Sequence, residues 1–229
     1  MGNKAFFQTA RRGDPFHAFY ISDDGYAREM SEFIVSGWNS FFRSVSDESR
    51  LVAVGINKES GRTMSVSLYD ITELTDPDPL MDRAEVEADY SWSEASWDHR
   101  AFAVLEDAVE IEAPDGDIET GLVLLPFSGW DLGREGYVSG AQIFTFGEDS
   151  LTRRGMMQHG TPVRRSFQAA RDLTANLSEA ELALFDTSDP DDPVELGRVN
   201  LLSLPTRPTP LPTPTPAPKP TPGLPSSAP

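Results

Sequence analysis

Side chains able to take part in catalysis or ligand binding are concentrated in one stretch, Tyr90–Phe102. It reads Tyr-Ser-Trp-Ser-Glu-Ala-Ser-Trp-Asp-His-Arg-Ala-Phe and holds two of the four tryptophans and one of the three histidines of the chain. Ser96, Asp98 and His99 are the residue types of a nucleophile, an acid and a base. In an extended strand, however, successive side chains point to opposite faces, so His99 would face away from Ser96 and Asp98.

A structural role for the same segment is the alternative. Asp98 and His99 would then bind backbone or hydroxyl groups between strands, because buried polar groups must be paired and a paired network fixes strand register. The sequence favours this interpretation, since no second activating feature accompanies the cluster. We therefore predict no catalytic residue and take Glu94, Trp97, Asp98 and His99 as structural or ligand-binding candidates.

Acidic side chains alternate within Glu106–Gly136, which we interpret as an insertion. Asp115, Asp117 and Glu119 lie around Gly116, and carboxylates at alternate positions offer oxygen ligands to calcium. The Asp-x-Asp-x-Asp-Gly order of an EF-hand loop is absent, so acidic residues that only solvate a hairpin tip are the alternative. Calcium is the one cofactor that the sequence suggests.

Histidines and tryptophans elsewhere in the chain give weaker signals. The histidines are His17, His99 and His159. They are too dispersed to form a zinc motif by spacing, and we predict structural or exposed roles for them. Trp92, Trp97 and Trp130 either line a ligand face or fill the spaces between sheets. Core packing is the favoured prediction, because aromatic side chains dominate such interfaces.

The composition restricts the classes of partner. The net charge of −18 at pH 7 makes the surface repel phosphate backbones, so nucleic acid is not expected as a partner. The absence of cysteine excludes disulfides, thiolate zinc sites and cysteine nucleophiles. No run of about eighteen apolar residues occurs, so the sequence predicts no membrane span. The first twenty residues lack the apolar core of a signal peptide.

Short strands bounded by Gly, Asp, Asn, Ser and Pro recur along the chain and predict an all-β fold. Two of these predicted strands, Trp92–Ser96 and Arg100–Leu105, flank the polar cluster. Equivalent positions in the third strands are occupied by Tyr20, Tyr69, Phe144 and Phe185. Their spacings are 49, 75 and 41 residues, which fit propeller blades of about 40 to 50 residues once the insertion is allowed for. We predict a partial β-propeller of about three four-stranded antiparallel blades after the end of a preceding blade.

The domain boundaries follow from the repeats and from composition. Residues 1–16 are predicted to be a poorly ordered segment, and the blades to occupy 17–203. The predicted units are the end of a blade at 17–38, a blade at 39–89, a blade at 90–161 with the insertion 106–136, and a blade at 162–203. Residues 204–229 hold eleven of the nineteen prolines, so we predict a disordered Pro/Thr-rich tail or linker.

Three stretches in order resemble a family of bacterial and archaeal secreted proteins with a C-terminal β-propeller distantly related to WD40 repeats. Tyr90–Phe102 resembles the family's Ser-Tyr-Ser-Glu-Ala-Leu-Tyr-Asp-His-Lys-Ala-Phe segment. Upstream, Leu51–Gly55 and Met64–Ile71 resemble its Leu-Ile-Gly-Ile-Gly and Lys-Leu-Ser-Leu-Phe-Asp-Val stretches. The similarity covers about residues 17 to 201 and only the C-terminal portion of the propeller. It implies a propeller fold and a secreted or cell-surface location for the full-length protein, while the family has no well-established activity to transfer.

Three functional hypotheses follow. The first is a non-enzymatic interaction module that binds a protein or glycan partner, with the tail as a semi-rigid spacer to the cell wall or to a further domain. The second is a hydrolase or metal-dependent enzyme with a site at the propeller axis, built from Glu94, Asp98 and His99. The third is a truncated fragment of a longer propeller, since closed propellers typically need about four to eight blades.

Overall fold

The computed structural model describes residues 3–8, 15–34, 37–59, 61–133 and 135–203. Within these ranges the regular structure is β-strand, with two short 3-10 helices and no α-helix. The prediction of an all-β fold with four-stranded antiparallel sheets is confirmed. In the same ranges, no helix has the length and apolarity needed to cross a membrane. The tail predicted for 204–229 lies outside the described residues.

The described strands form four antiparallel sheets that follow one another along the chain. The first sheet contains β1 (Lys4–Gln8), β2 (Pro15–Ile21) and β3 (Ala27–Ile34). The second contains β4 (Trp38–Val45), β5 (Arg50–Asn57), β6 (Thr63–Asp70) and β7 (Leu80–Glu85). The fourth contains β15 (Val163–Ala170), β16 (Leu173–Ser178), β17 (Glu181–Asp186) and β18 (Val194–Asn200), followed by a 3-10 turn at Leu201–Ser203.

The third sheet is larger than the others, because its first strand is divided. It contains β8 (Tyr90–Trp92), β9 (Ala103–Leu105), β12 (Gly121–Asp131), β13 (Gly136–Phe146) and β14 (Leu151–Gln158). Both β8 and β9 pair with β12, at opposite ends of that strand. Between them the chain leaves the sheet and forms a 3-10 turn at Glu94–Ser96. A separate hairpin is formed by β10 (Ile111–Glu112) and β11 (Ile118–Glu119).

Neighbouring sheets pack face to face and share three hydrophobic cores. Along β5, Leu51 and Ala53 face the core shared with the first sheet, whereas Val52 and Val54 face the core shared with the third. In β12, Leu122 and Leu124 likewise enter the core toward the fourth sheet, while Val123, Leu125 and Phe127 face the second. Because side chains alternate faces, each central strand supplies two cores and is apolar almost throughout. This stacking of four-stranded sheets is the arrangement of propeller blades.

Two boundary predictions and one strand prediction are wrong. Within 1–16, predicted to be poorly ordered, residues 4–8 form β1, which pairs with β2. The insertion 106–136 is wrong because Gly121–Asp131 is the central strand of the third sheet. The predicted strand Trp92–Ser96 ends at Trp92, since the chain turns away from β12 there. Pro126 lies in the interval where β8 has ended and β9 has not begun, so the proline disrupts no pairing on that side.

Candidate functional site

The predicted site residues lie in the segment 93–102, where the chain leaves the third sheet. Ser93 begins this segment, since its hydroxyl accepts the Ala95 N–H at 3.0 Å and donates to the Pro126 carbonyl. The segment contacts both neighbouring sheets. The Ser166 N–H of β15 donates to the Ala101 carbonyl at 2.9 Å, and the ring of Phe41 in β4 lies 6.1 Å from the His99 ring. Segment 93–102 therefore connects the first strands of three adjacent sheets.

The polar groups of this segment are bonded to one another or to nearby arginines. Glu94 accepts the Trp97 indole N–H at 2.8 Å and Arg164 at 2.7 Å. The guanidinium and backbone N–H of Arg100 bind Asp98, and these hydrogen bonds lower the pKa of Asp98 to about 2. Glu94 and Asp98 are thus held as ionised partners of arginines.

Ser96, Asp98 and His99 each have a different partner. The Ser96 hydroxyl lies 3.9 Å from the Met64 sulfur, the Asp98 carboxylate binds Arg100, and the His99 ring contacts Phe41. Within the described contacts these three side chains do not form the hydrogen-bonded chain that a catalytic triad requires.

The calcium candidates are separated by their surroundings. Asp115 and Asp117 are exposed at the β10–β11 turn, where Asp115 accepts the Asp117 N–H at 3.2 Å. Glu119 is fully buried, and its carboxylate accepts hydrogen bonds from Thr145, from Thr152 at 2.8 Å and from Arg154 at 2.8 Å. Calcium binding at Asp115 and Asp117 stays a prediction, whereas the Glu119 oxygens already have three donors.

Four aromatic side chains form an exposed surface at one end of the third sheet, which we call the aromatic platform. They are Tyr90, Trp92, Trp130 and Tyr137, with exposed fractions of 52%, 49%, 47% and 47%. The register places Tyr90 opposite Trp130, and Trp130 opposite Tyr137. Trp92 follows Tyr90 by two residues and therefore shares its face, and its ring lies 6.1 Å from that of Tyr137.

The prediction that the tryptophans fill the core is wrong for Trp92, Trp97 and Trp130. All three are about half exposed or more. The reason for Trp92 and Trp130 is that β8 and the end of β12 extend beyond the region where the neighbouring sheets pack. Trp97 lies in segment 93–102, away from the platform strands, with its indole N–H on Glu94.

A cleft of about 480 Å³ adjoins the aromatic platform. Tyr137 belongs to both, and the opposite wall comes from Glu195 and Arg198 of β18. Ser139 and His159 also line it. The Ser139 hydroxyl is bonded to Ser128 and to the Thr161 carbonyl, each at 3.1 Å. The cleft thus lies between the third and fourth sheets, and its polar groups come from both.

His159 is the distinctive group of this cleft. Its side chain is buried, Nδ1 lies 3.1 Å from the Thr161 carbonyl, and Nε2 has no hydrogen-bond partner in the described residues. Burial, and then the positive charge of Arg198, lower the pKa of this imidazole. A neutral ring that donates from Nδ1 to Thr161 carries its lone pair on Nε2. His159 therefore has an unused acceptor.

Arg198 is held by two carboxylates. Its Nε and Nη2 donate to Glu195 at 3.0 and 2.7 Å, and its Nη1 donates to Glu181 at 2.6 Å. These bonds raise the pKa of Arg198 and lower that of Glu195. Two carboxylates outweigh one guanidinium, so the cleft has no excess positive charge for an anionic ligand.

The platform and the cleft were missed at the sequence level, although part of the signal was present. Tyr90 and Trp92 alternate with serines, which is the pattern of one strand face. Trp130 and Tyr137 were assigned to an insertion or its border, so their register with Tyr90 was hidden. His159 carried no spacing signal, because its cleft is made by strands distant in sequence.

Comparisons with known proteins agree with the fold. A 26% identical relative over 137 residues is an uncharacterized protein from Archaeoglobus fulgidus; the match covers 60% of this chain but only 18% of that protein. A "putative 6-phosphogluconolactonase" from Bacteroides fragilis is 12% identical, with 87% of this chain and 68% of that chain covered and a TM-score of 0.38. The β-propeller domain of the Trilobed protease from Pyrococcus furiosus is 13% identical, with 85% and 53% covered and a TM-score of 0.35.

The family assignment rests on a direct match. The model of a family described as a beta propeller domain matches residues 1–180, most of the 229-residue chain. This range includes the first three sheets, segment 93–102 and most of the aromatic platform's surroundings. The chain belongs to the beta propeller domain family.

Proposed function

We propose that this chain is a non-enzymatic β-propeller module that binds a neutral glycan on the aromatic platform and in the adjoining cleft. The observation that carries the proposal is the row of half-exposed aromatic rings beside an imidazole with an unused acceptor. Large exposed aromatic side chains on one continuous surface mark interaction sites in soluble proteins. Here they lie on a sheet whose strands are fixed by full ladder pairing, so the surface is preorganised.

The chemistry of the platform suits sugar rings. The C–H groups on one face of a pyranose are apolar and pack against an aromatic ring, while the hydroxyls at the rim stay available for hydrogen bonds. Neighbouring strands lie about 4.8 Å apart and alternate residues about 6.7 Å apart along a strand. The platform therefore extends about 10 Å across three strands and about 7 Å along them, the size of a short oligosaccharide.

The cleft supplies the polar half of such a site. A sugar hydroxyl can donate to Nε2 of His159, and further hydroxyls can donate to the carboxylate of Glu195. A phosphorylated ligand is disfavoured, because the guanidinium of Arg198 is already engaged by Glu195 and Glu181. Uncharged hydroxyl-rich ligands are the class that these groups fit.

A binding role is favoured over the enzymatic alternative at Glu94, Asp98 and His99. Those side chains are engaged by Arg164, by Arg100 and by the Phe41 ring. In the cleft, the Ser139 hydroxyl donates to a backbone carbonyl rather than to His159. A secreted or cell-surface location, with the Pro/Thr-rich tail as a spacer, belongs to the same proposal.

The test is a titration of the full chain with cellohexaose, xylohexaose, mannohexaose and chitohexaose, followed by tryptophan fluorescence and calorimetry. We expect at least one of them to bind. Trp92→Ala and Trp130→Ala should each weaken that binding about tenfold, equivalent to ~1.4 kcal/mol of stacking. Trp97→Ala is the matched control, because it removes an equally exposed indole outside the platform. If no hexaose binds at millimolar concentration, or if only Trp97→Ala weakens binding, the glycan proposal is wrong.

A further inference from the structure

A second group of side chains lies on the first sheet, away from the platform and from segment 93–102. His17 is in β2, and Glu29 and Glu32 are in β3, the partner strand. One ligand atom from each of the three lies within 4.8 Å of the other two. The imidazole Nδ1 of His17 is 2.6 Å from Oε1 of Glu29. Three metal-binding side chains from two strands thus meet at one point.

A β-bulge explains how the two glutamates reach the same side of the sheet. Glu29 and Glu32 are three residues apart, so a regular strand would direct them to opposite faces. The register shifts between Ala18 and Phe19, where Ser31 and then Glu29 are the partners and Met30 is the additional residue. A bulge of this kind redirects the side chains that follow it. Glu29 is thereby brought to His17, which pairs directly with Glu32.

The donor set determines which ion it suits. One imidazole nitrogen and two carboxylate oxygens are ligands of Zn²⁺ and of other divalent transition metals. Two carboxylates balance the charge of a divalent ion, and three protein ligands leave a position for water. Calcium and magnesium prefer oxygen ligands alone, and calcium takes six to eight of them, so the imidazole disfavours both.

The surroundings allow entry and limit the reorganisation that binding requires. The His17 side chain is 18% exposed, and that of Glu29 is 49% exposed. The His17 ring also lies 6.4 Å from that of Phe19, so packing restricts its orientation. The glutamates can complete the shell by small rotations, since zinc–ligand distances of about 2.0–2.2 Å place ligand atoms closer together than the present limit.

We propose that His17, Glu29 and Glu32 form a binding site for a divalent transition metal ion, with Zn²⁺ as its representative. The ion replaces the hydrogen bond between His17 and Glu29 and links β2 to β3. It stabilises the first sheet, and the site is independent of glycan binding on the platform.

The experiment uses the full chain after removal of metal by EDTA and dialysis, titrated calorimetrically with ZnCl₂. We expect one ion per chain at this site, and Glu29→Gln with Glu32→Gln in a double variant should weaken binding by at least about tenfold. The matched control is the double variant Asp115→Asn with Asp117→Asn, which also removes two exposed carboxylates and should bind Zn²⁺ as the unmodified chain does. Equal affinity in the two double variants, or no binding to the unmodified chain, would overturn the proposal.

A second measurement needs no substitution and remains informative if the variant does not fold. The chain has three histidines, so the imidazole resonances are few in an NMR spectrum. Zn²⁺ should shift the ring signals of His17, identified by their proximity to Phe19, and leave those of His99 unchanged. A shift confined to His99 or His159 would contradict the assignment of the site.

Discussion

Replacing Glu119 by glutamine removes one charge from a buried network and should lower the stability of the whole domain. The Glu119 carboxylate is fully buried and accepts hydrogen bonds from Thr145, Thr152 and Arg154. The Arg154 side chain is only 6% exposed, so this pair is shielded from water. In the variant, the amide N–H₂ group would face the donors of Arg154 and one hydroxyl.

The magnitude follows from what remains of the network. Removing one partner of a buried ion pair costs about 3–5 kcal/mol. Arg154 keeps Asp191 at 3.2 Å and the Glu112 carbonyl at 3.2 Å, so the loss belongs at the lower end of that range. We expect the free energy of unfolding to decrease by ~3 kcal/mol, or the Tm by about 6–12 °C for a domain of this size.

The assay is urea unfolding followed by circular dichroism and by tryptophan fluorescence. Asp117→Asn is the control, because Asp117 is exposed and its substitution removes the same charge two residues away; its effect should stay within ~0.5 kcal/mol. The reasoning would be refuted if Glu119→Gln were as stable as Asp117→Asn. It would also be refuted if the variant differed from the unmodified chain only when calcium is present, since Glu119 would then be a calcium ligand.

Two further predictions concern the region between the third and fourth sheets. Burial and the charge of Arg198 lower the pKa of His159 below its ordinary value of 6.5, so its contribution to stability is complete above that pH and is lost as the pH falls below it. Urea unfolding between about pH 7.5 and about pH 5 should therefore show a larger loss for the unmodified chain than for His159→Asn; equal losses would exclude this titration. Gly155→Ala should destabilise by about 1–3 kcal/mol, since an added Cβ would lie 2.5 Å from the Asp191 carbonyl oxygen. Gly197→Ala, where no atom lies within 4 Å of the added Cβ, should be neutral or slightly stabilising in the same assay, and a reversed order would contradict the packing described.

The sequence allowed the repeating strands to be predicted where alternation and turn chemistry agree. Thr63–Asp70 and Glu181–Asp186 are examples, since each is a run of strand-forming residues bounded by polar turns. Gly121–Asp131 was missed because Pro126 and Gly129 argue against a central strand. Only the tertiary pairing shows that the interrupted neighbour strand tolerates the proline.

The candidate site was harder to predict than the fold, because it depends on contacts between distant strands. Tyr90 and Trp130 are forty residues apart, and their proximity follows from the register of β8 on β12. Residues 93–102 attracted attention through their residue types, yet their polar groups are bonded to Arg100 and Arg164. Residue types alone do not distinguish an internally paired cluster from one with free acceptors.

The most direct test of the central claim is a ¹H–¹⁵N NMR titration of the four indole N–H signals with the hexaose that binds. Binding on the aromatic platform should shift the signals of Trp92 and Trp130. The signals of Trp38 and Trp97 should remain unchanged, since neither residue belongs to the platform. A shift of Trp97 with Trp92 and Trp130 unaffected would contradict the account and place the ligand on segment 93–102.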